Sequence, residues 1–548
     1  MAVRGRGTTR RRIAPRRALR WLVQSTVARP RPHAREAAVL DLARLAALPR
    51  DVLAGLHRGV EKESLRVQPD GRLATTPHPP RLGAALTHPF VTTDFSESQL
   101  ELITGVHATA EACVRELTEI HQAVYRAIGD ELLWCGSMPC MLPADDLIPL
   151  GRYGVSNLGR AKNVYRRGLA HRYGRRMQTI SGIHYNFSVP GDLSNDAYFA
   201  LIRNFRRHSW LLLYLFGASP AVCACFVEGR EHELQRLSES TFYLPYATSL
   251  RMGRLGYQSD AQSSLAVSYN SLESYGASLQ GALTGAYPPY EAIGIRDGDD
   301  YRQLGVSLLQ IENEFYGTIR PKRRIRQGER PLHALRERGV EYVEVRLMDL
   351  DPFLPVGIVP ATMHMLDVYL LHCLLSDSPP DTPQEIAALG RNQQRVAARG
   401  RQPGLRLERR SGEATLVNWG GEVLAECAPI AAALDAANDT RRYGEAVAAA
   451  VAALGDPSST PSARVLRAMA RDHGNSYSRF VLAQSRKHRD AICALPFSAE
   501  LAEHFDALAE ESRVRQREIE EADTMPFEIY RQQYLDPKRL GALRNHGE

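Results

Sequence analysis

Cysteine is scarce and scattered in this chain, which has eight thiols in 548 residues. None of them forms a Cys-x-x-Cys pair or has the spacing of a zinc site, and this excludes a zinc module. Sparse thiols are typical of a reducing compartment, so the cytoplasm is the expected location. A single disulfide stays open as an alternative.

Long apolar runs are also missing. The best candidate for a membrane span, residues 210–227, is interrupted by Gly217-Ala218-Ser219-Pro220. Glycine and proline at that point predict a buried helix followed by a turn and a second core segment. We therefore expect no membrane partner.

Acidic residues are absent from residues 1–35, which contain eleven arginines. The net charge of the whole chain is +7, so the remainder carries 7 − 11 = −4. This composition predicts a disordered Arg-rich extension, and Arg20 interrupts any secretory signal. A nucleic-acid-binding tail is the alternative, but it would leave the acidic residues of the body unexplained, and we expect no nucleic-acid partner.

Several common catalytic motifs do not occur. There is no Walker A loop, no Gly-x-Gly-x-x-Gly after a strand, no His-Glu-x-x-His and no Gly-x-Ser-x-Gly. An enzyme of this kind that used a nucleotide would have to hold it through metal ions and arginines on a sheet.

Carboxylates that alternate along a strand pattern are present between residues 59 and 104. Glu61 and Glu63 are two apart, which places both side chains on one face of a strand at roughly 7 Å. Asp94 and Glu101 return on a nearby segment. Hard oxygen ligands of this kind suit Mg²⁺, whereas the alternative for any two alternating glutamates is a solvated edge strand.

Three further segments have strand-like alternation. Residues 177–189 place Ile183, Tyr185 and Phe187 on one face and His184 on the other. Residues 340–346 place Glu344 and Arg346 together on a face, and residues 308–316 are predicted as a third strand that carries Glu312, Glu314 and Tyr316. The carboxylates with His184 could hold two or three divalent ions, and Arg346 suits bidentate contact with a phosphoryl group.

The segments around these strands are assigned from composition and spacing. A Pro-Asp-Gly turn predicts that residues 56–67 and 72–76 pair as a hairpin. Residues 36–56, 108–134 and 196–216 are predicted as helices, residues 151–174 as a substrate-facing loop with helix near 164–169, and residues 243–251 and 319–323 as loops, the latter basic. The basic loop could meet a polyphosphate or be a solvated charge run.

Beyond Pro352 the periodicity becomes helical. The predicted helices are residues 363–375, 383–400, 428–454, 463–488 and 499–522, and they carry no clustered chemistry. With no repeat or long linker, residues 36–548 are predicted to form one domain, with a sheet core at about 50–355 and a helical part at about 356–548.

The motifs in this order resemble proteobacterial glutamate–cysteine ligase. The resemblance is dense over about residues 50–355 and returns near residues 521–527. It rests on the following strings: Gly59-Val60-Glu61-Lys62-Glu63-Ser64-Leu65-Arg66, Thr92-Thr93-Asp94-Phe95, Ser137-Met138-Pro139-Cys140, Met177-Gln178-Thr179-Ile180-Ser181-Gly182-Ile183-His184-Tyr185-Asn186-Phe187, Tyr243-Leu244-Pro245-Tyr246-Ala247-Thr248-Ser249-Leu250-Arg251, Gln310-Ile311-Glu312-Asn313-Glu314, Ile319-Arg320-Pro321-Lys322-Arg323 and Glu341-Tyr342-Val343-Glu344-Val345-Arg346.

This resemblance implies an α+β fold like that of glutamine synthetase, with a curved antiparallel sheet that forms a funnel-shaped site and helices around it. Arg346 would stabilise the transferring phosphoryl group. The implied ligands of two or three Mg²⁺ ions, or of Mn²⁺, are Glu61, Glu63, Asp94, Glu101, His184 and Glu344. The implied amino-acid pocket comprises Tyr165, Leu169, Gln178, Ile180, Arg251, Tyr257 and Tyr316, with Arg251 pairing with a substrate carboxylate.

The reaction implied by the resemblance is the ATP-dependent joining of the L-glutamate γ-carboxylate to the L-cysteine amine. It proceeds through a γ-glutamyl phosphate and is the first step of glutathione biosynthesis. The expected partners are these three small molecules, and the expected state is a monomer. The nearest alternative is a related ligase that joins glutamate to another amine, because the metal site would be common to both.

Overall fold

The computed structural model describes residues 40–256, 260–263, 265–326 and 328–541. The Arg-rich extension and Tyr257 lie outside these ranges. The first elements are α1 (Leu42–Ala46), α2 (Arg50–Ala54), β1 (His57–Val67), β2 (Val91–Thr93), β3 (Gln99–Ile103), α3 (Ala110–Ala127) and β4 (Leu132–Leu133).

The middle of the chain contains short strands and helices around one long buried helix. These elements are α4 (Asn157–Tyr173), α5 (Arg175–Gln178), β5 (Ile183–Ser188), α6 (Asn195–Phe216), β6 (Ala221–Cys223), α7 (Ala224–Val227), β7 (Gln235–Ser238), β8 (Thr241–Tyr243), α8 (Asp260–Ser263), α9 (Leu272–Thr284), α10 (Pro288–Glu291), β9 (Arg296–Asp297), β10 (Asp300–Tyr301), β11 (Ile319–Lys322), α11 (Pro331–Arg338) and β12 (Tyr342–Met348).

The rest of the chain is mainly helical. It comprises α12 (Pro360–Leu375), α13 (Pro383–Arg399), β13 (Arg406–Arg409), β14 (Gly412–Thr415), α14 (Leu416–Asn438), α15 (Arg442–Gly455), α16 (Pro461–Asp472), α17 (Tyr477–Cys493), α18 (Ala499–Glu521) and α19 (Phe527–Leu535).

A seven-stranded antiparallel sheet is the centre of the fold. Its strand order is β11-β12-β5-β1-β3-β2, and β4 pairs with β1. The apolar residues predicted for one face, Ile183, Tyr185 and Phe187, are buried in the main core. This confirms the predicted α+β class, because helices cover the apolar face of an antiparallel sheet.

Helices α6 and α12 pack in the main core with that apolar face. A buried ion pair fixes the sheet to α12: the Arg58 guanidinium of β1 lies 2.7 Å from the Asp367 carboxylate. The Tyr185 hydroxyl donates to the other oxygen of Asp367 at 2.6 Å. Both Asp367 oxygens therefore have partners, as a buried charge requires. The opposite face of the sheet is left for polar side chains.

The predicted buried helix at residues 196–216 is confirmed as α6. Ser194 caps its N-terminus by accepting a hydrogen bond from the Ala197 amide. No helix in the described part of the chain is long and apolar enough to cross a membrane. All eight cysteines are free thiols, so the alternative of a disulfide is not realised here.

The predicted strand at residues 308–316 is wrong. Glu312–Glu314 forms a 3₁₀ turn, and both glutamates are buried. Glu314 lies 2.8 Å from Arg172, and Glu312 lies 2.7 Å from Arg330. Two ion pairs with arginines distant in sequence therefore determine this segment, and sequence alternation does not reveal such partners.

Two predicted loops are regular elements. Residues 319–323 were expected to be a basic loop, but Ile319–Lys322 forms the edge strand β11, where proline and lysine are tolerated. Residues 151–174 were expected to be mainly loop, but Asn157–Tyr173 is helix α4. Its Gly168 lies against Gln310, where an added Cβ would come within 2.2 Å of the amide oxygen.

The remaining differences concern element ends and interruptions. The predicted helix at 36–56 is divided, in its described part, into α1 and α2, and the predicted 108–134 helix ends at Ala127 before β4. The expected hairpin is reduced to one bridge between Val67 and Leu73. Left-handed backbone at Asp439 and Asn475 interrupts the predicted helices 428–454 and 463–488, so four helices occupy this region.

Candidate active site

Strand β1 presents Glu61 and Glu63 on the polar face of the sheet. His184 of β5 lies between them: its Nδ1 is 3.1 Å from Glu61 and its Nε2 is 3.8 Å from Glu63. Lys62, the residue between the two glutamates, points to the other face and contacts His121 at 2.7 Å. The strand period of two therefore separates the two acids from the lysine.

The antiparallel register brings a third carboxylate to the same place. Glu101 of β3 is directly opposite Glu63, and His184 is directly opposite Glu61. Ligand atoms of Glu61, Glu101 and His184 all lie within 4.8 Å of one another. Two carboxylates and an imidazole at this spacing match the first coordination sphere of a divalent cation.

The cluster carries more negative charge than its protein partners offset. Burial and the neighbouring Asp94 raise the pKa of Glu63 to about 8, although Arg251 and Arg346 act against this rise. Burial, followed by Glu61, Asp94 and Glu63, raises the pKa of Glu101 well above its usual value. Crowded carboxylates of this kind fit divalent cations, which relieve the repulsion that raises the pKa values.

The other end of the site is a charge network on β11 and β12. Glu344 lies 3.0 Å from Arg346 and 3.1 Å from Lys322. Burial alone would raise the pKa of Glu344, but Lys322 and Arg346 outweigh it and hold the pKa well below the usual range. Arg346 also lies 3.4 Å from His184, so the network is continuous with the carboxylate cluster.

Glu61 has a similar balance. Burial and Glu344 raise its pKa, but the hydrogen bond with His184 and the charge of Lys322 bring it below the usual value. The Asn186 amide donates to the other oxygen of Glu61 at 2.8 Å. Glu61 is therefore held as an ionised carboxylate in a fixed orientation.

Some of the predicted pocket residues lie together next to this cluster. The Gln178 amide donates to the Tyr316 hydroxyl at 2.7 Å. Tyr165 and Leu169 lie one turn apart on α4. Burial raises the pKa of Tyr165 well above its usual value, and Glu314, Tyr316 and Asp94 add to this rise. Tyr165, Gln178 and Tyr316 therefore border one polar region near Asp94.

Two other predicted pocket residues are buried, and their described contacts are with other parts of the protein. The Ile180 side chain is fully buried in a second apolar cluster with Met177. Arg251 is also buried and donates to the Arg346 carbonyl at 2.9 Å. Its guanidinium lies so close to Gly182 that an added Cβ there would come within 2.0 Å. Glycine at residue 182 is therefore required by this close approach.

Sequence reasoning missed three groups that hold the site together. They are Asn186, Lys322 and the Gly182 amide, which donates to Glu63 at 2.7 Å. Asn186 follows His184 by two residues, so the strand period does place it on the same face as His184, but it does not reveal its contact with Glu61. Lys322 was assigned to a loop, and the Gly182 amide has no side-chain signal.

Comparison with solved structures defines the class of the protein. The chain is similar to a glutamate–cysteine ligase from Francisella tularensis solved in complex with AMP, with a TM-score of 0.84 and 36% identity over 89% of this chain and 98% of that one. It is also similar to a bifunctional glutathione synthetase from Pasteurella multocida, with a TM-score of 0.65 and 26% identity over 84% of this chain and 57% of that one. With the acidic face of its sheet, the protein is an α+β ligase of the glutamine-synthetase-like class.

Sequence comparison then gives the family. The family model described as glutamate-cysteine ligase matches residues 42–396. The glutamate–cysteine ligases of Saccharophagus degradans and Pseudomonas putida are 46% and 48% identical to this chain, over 88% and 87% of it and 95% and 93% of their own lengths. The chain belongs to the glutamate–cysteine ligase family.

Proposed function

We propose that this enzyme joins the γ-carboxylate of L-glutamate to the amine of L-cysteine with ATP, giving γ-glutamylcysteine, ADP and phosphate. The observation that carries the proposal is the acidic cluster of Glu61, Glu101 and His184 beside Arg346, in a chain of this family. The product is the first intermediate of glutathione biosynthesis.

The reaction needs an activated carboxylate because a free carboxylate is a poor acyl donor. The γ-carboxylate oxygen attacks the γ-phosphorus of ATP, ADP leaves, and a γ-glutamyl phosphate forms. The cysteine amine then attacks the γ-carbonyl carbon, phosphate leaves, and the amine loses a proton. Catalysis of this kind depends on positioning and electrostatics and requires no protein nucleophile.

The acidic cluster and the three carboxylates around it, Glu63, Asp94 and Glu344, form the proposed cation site. Glu61, Glu63, Asp94, Glu101, His184 and Glu344 would hold two or three Mg²⁺ ions, with Mn²⁺ as a substitute. Bound cations of this kind offset the negative charge of the nucleotide phosphates. The raised pKa values of Glu63 and Glu101 support this assignment, because burial and the neighbouring carboxylates disfavour their ionised forms and a cation would offset both effects.

Arg346 is the proposed catalytic residue. Its guanidinium contacts Glu344 at 3.0 Å, and this contact holds it beside the acidic cluster. A planar guanidinium can donate two hydrogen bonds to the transferring phosphoryl group, which stabilises its charge. Glu344 therefore has two proposed roles, as a ligand and as the residue that orients Arg346.

The amino-acid pocket is proposed to include Tyr165, Leu169, Gln178, Ile180, Arg251, Tyr257 and Tyr316. Gln178 and Tyr316 supply polar groups, and Ile180 shapes the wall from the core side. For Arg251 we infer a supporting position, because it packs under Gly182, whose amide donates to Glu63. We further propose a cytoplasmic location, since the eight free thiols suit a reducing compartment, and a monomeric state.

One assay tests the reaction. Release of ADP is measured with Mg²⁺, ATP, L-glutamate and L-cysteine, and then with 2-aminobutyrate or another amine in place of cysteine. We expect turnover that needs all four components and the highest kcat/KM with cysteine. A higher kcat/KM with a different amine would assign the chain to a related ligase with another acceptor.

A further inference from the structure

Three thiols lie together behind the amino-acid pocket. The sulfurs of Cys223 and Cys225 are 3.1 Å apart, and Cys225 donates to Cys223. Cys140, from the loop that follows β4, is the third thiol and contributes to lowering the pKa of Cys223. Cys223 and Cys140 are buried, whereas Cys225 is partly exposed. The proposed reaction uses none of these residues.

The arrangement is suited to oxidation. A disulfide has a sulfur–sulfur distance of about 2.05 Å, so the two sulfurs have to close by only about 1 Å. Hydrogen bonds from Cys140 and Cys225, which outweigh the effect of burial, hold the pKa of Cys223 well below its usual value. The thiolate is the form that reacts with oxidants.

We propose that Cys223 and Cys225 form a redox site that hydrogen peroxide converts into a disulfide. The Cys223 thiolate attacks one peroxide oxygen and the O–O bond breaks. The leaving hydroxide takes up the proton that Cys223 had released, which gives a sulfenic acid and water. The Cys225 sulfur then attacks the Cys223 sulfur, the S–O bond breaks, and the thiol proton leaves in a second water. Two thiols lose two electrons, and one peroxide is reduced to two waters.

One hydrogen bond connects this pair of thiols to the segment that carries a residue of the proposed amino-acid pocket. The Cys225 carbonyl accepts from Arg176 of α5 at 2.6 Å, and Gln178 of the same short helix contacts Tyr316. A disulfide that draws Cys225 toward Cys223 moves this carbonyl. This consequence rests on the proposed function, and it predicts a severalfold rise in KM for an amino-acid substrate with little change in KM for ATP.

Peptide mass measurement tests the site independently of activity. The full chain is treated with hydrogen peroxide, its free thiols are alkylated, and it is digested with trypsin. Cleavage after Arg207 and Arg230 gives a peptide whose only cysteines are Cys223 and Cys225. We expect this peptide to lack alkyl groups and to weigh two hydrogens less than the reduced peptide, and we expect dithiothreitol to reverse the change.

Two variants serve as comparison. Cys225→Ser should lose the internal disulfide, whereas Cys493→Ser, at an exposed thiol, should retain it. The proposal is overturned if the wild-type peptide carries two alkyl groups after peroxide treatment. It is also overturned if the peptide is cross-linked to the one spanning residues 127–152, because Cys135 or Cys140 would then be the partner. The mass of the wild-type peptide is enough to support or overturn the proposal, so the test remains valid if a variant fails to fold.

Discussion

Glu63 of β1 and Glu101 of β3 are directly opposite each other in an antiparallel register. Like charges at such a position repel each other and destabilise a sheet. Asp94 adds a third carboxylate, and the pKa values of both glutamates are raised, first by burial and then by neighbouring carboxylates. This part of the sheet therefore carries a repulsion that a cation at the proposed site would relieve.

Replacement of Glu63 by glutamine tests the cation site. We expect Glu63→Gln to lower Mg²⁺-dependent turnover by about 100-fold or more, because a charged ligand is lost. We also expect the rise in melting temperature on adding Mg²⁺ alone to shrink, because a cation that binds the folded state stabilises it. Melting temperature with and without Mg²⁺ and a parallel ADP-release assay measure the two effects.

The matched control is Glu408→Gln on β13, where the carboxylate pairs with Arg391 away from the site. It should change neither the Mg²⁺ shift nor turnover. An unchanged Mg²⁺ shift in Glu63→Gln would remove Glu63 from the proposed ligands.

Replacement of Arg346 by lysine separates charge from geometry. Lysine keeps the positive charge but cannot offer two parallel hydrogen bonds. We expect kcat to fall by about 100-fold or more, as for the loss of one transition-state donor, with a small change in ATP affinity. Single-turnover kinetics and a nucleotide-binding titration give the two values.

For comparison, Arg338→Lys changes an arginine on α11 whose partners are Glu329 and Glu337. Near-normal kcat is expected there. Equal losses of kcat and ATP affinity in Arg346→Lys would instead indicate that Arg346 only binds the nucleotide.

The strands that form the centre of the site were predictable because one of their faces is buried. In β5, Ile183, Tyr185 and Phe187 alternate with His184, and the same period holds in β12. Alternation was misleading at Glu312 and Glu314, because their partners, Arg330 and Arg172, are distant in sequence. Local patterns carry no information about such pairs.

The contacts across the site depended on register, which the sequence did not reveal. Glu61 meets His184 and Asn186 because β1 and β5 pair in one of several possible registers. Lys322 reaches Glu344 because β11 pairs with β12, although Pro321 and the charges of this segment resemble a loop. The residue types could therefore be chosen from the sequence, but their distances could not.

Replacement of Arg172 by leucine tests the ion pair that holds the segment before β11. The side chains of Arg172 and Glu314 have no exposed surface, and their closest atoms are 2.8 Å apart. Removal of the arginine leaves a buried carboxylate without its cation, which costs about 3–5 kcal/mol. We expect a loss of this size in the free energy of unfolding, measured by denaturant titration.

The control for this prediction is Arg406→Leu on β13, whose partner Glu413 is about half exposed. Pairs of this kind contribute about 0–1 kcal/mol. Similar losses for the two variants would show that burial does not govern the strength of the Arg172 pair.

A buried histidine on α6 predicts the acid sensitivity of the helical core. His208 packs against His372 and Trp419 with ring centroids 5.8 Å apart in each case, and its Nδ1 has no hydrogen-bond partner in the described part of the chain. Burial, followed by the charges of His372 and Arg207, holds its pKa well below 6.5. Near it, Glu426 pairs with His372 and Glu385 pairs with Arg207.

The direction of the pH dependence of stability follows from the difference in proton binding between the folded and unfolded chains. Below about pH 6.5 the unfolded chain binds a proton at residue 208 that the folded chain excludes, so stability is complete above that pH and falls as the pH decreases. The loss is about 1.4 kcal/mol for each pH unit below 6.5. We expect His208→Gln to reduce the difference in free energy of unfolding between pH 7.5 and pH 5.5 by about this amount. His57→Gln, at an exposed position, should leave the difference unchanged. An equal pH dependence in wild type and His208→Gln would show that His208 is already protonated in the folded protein.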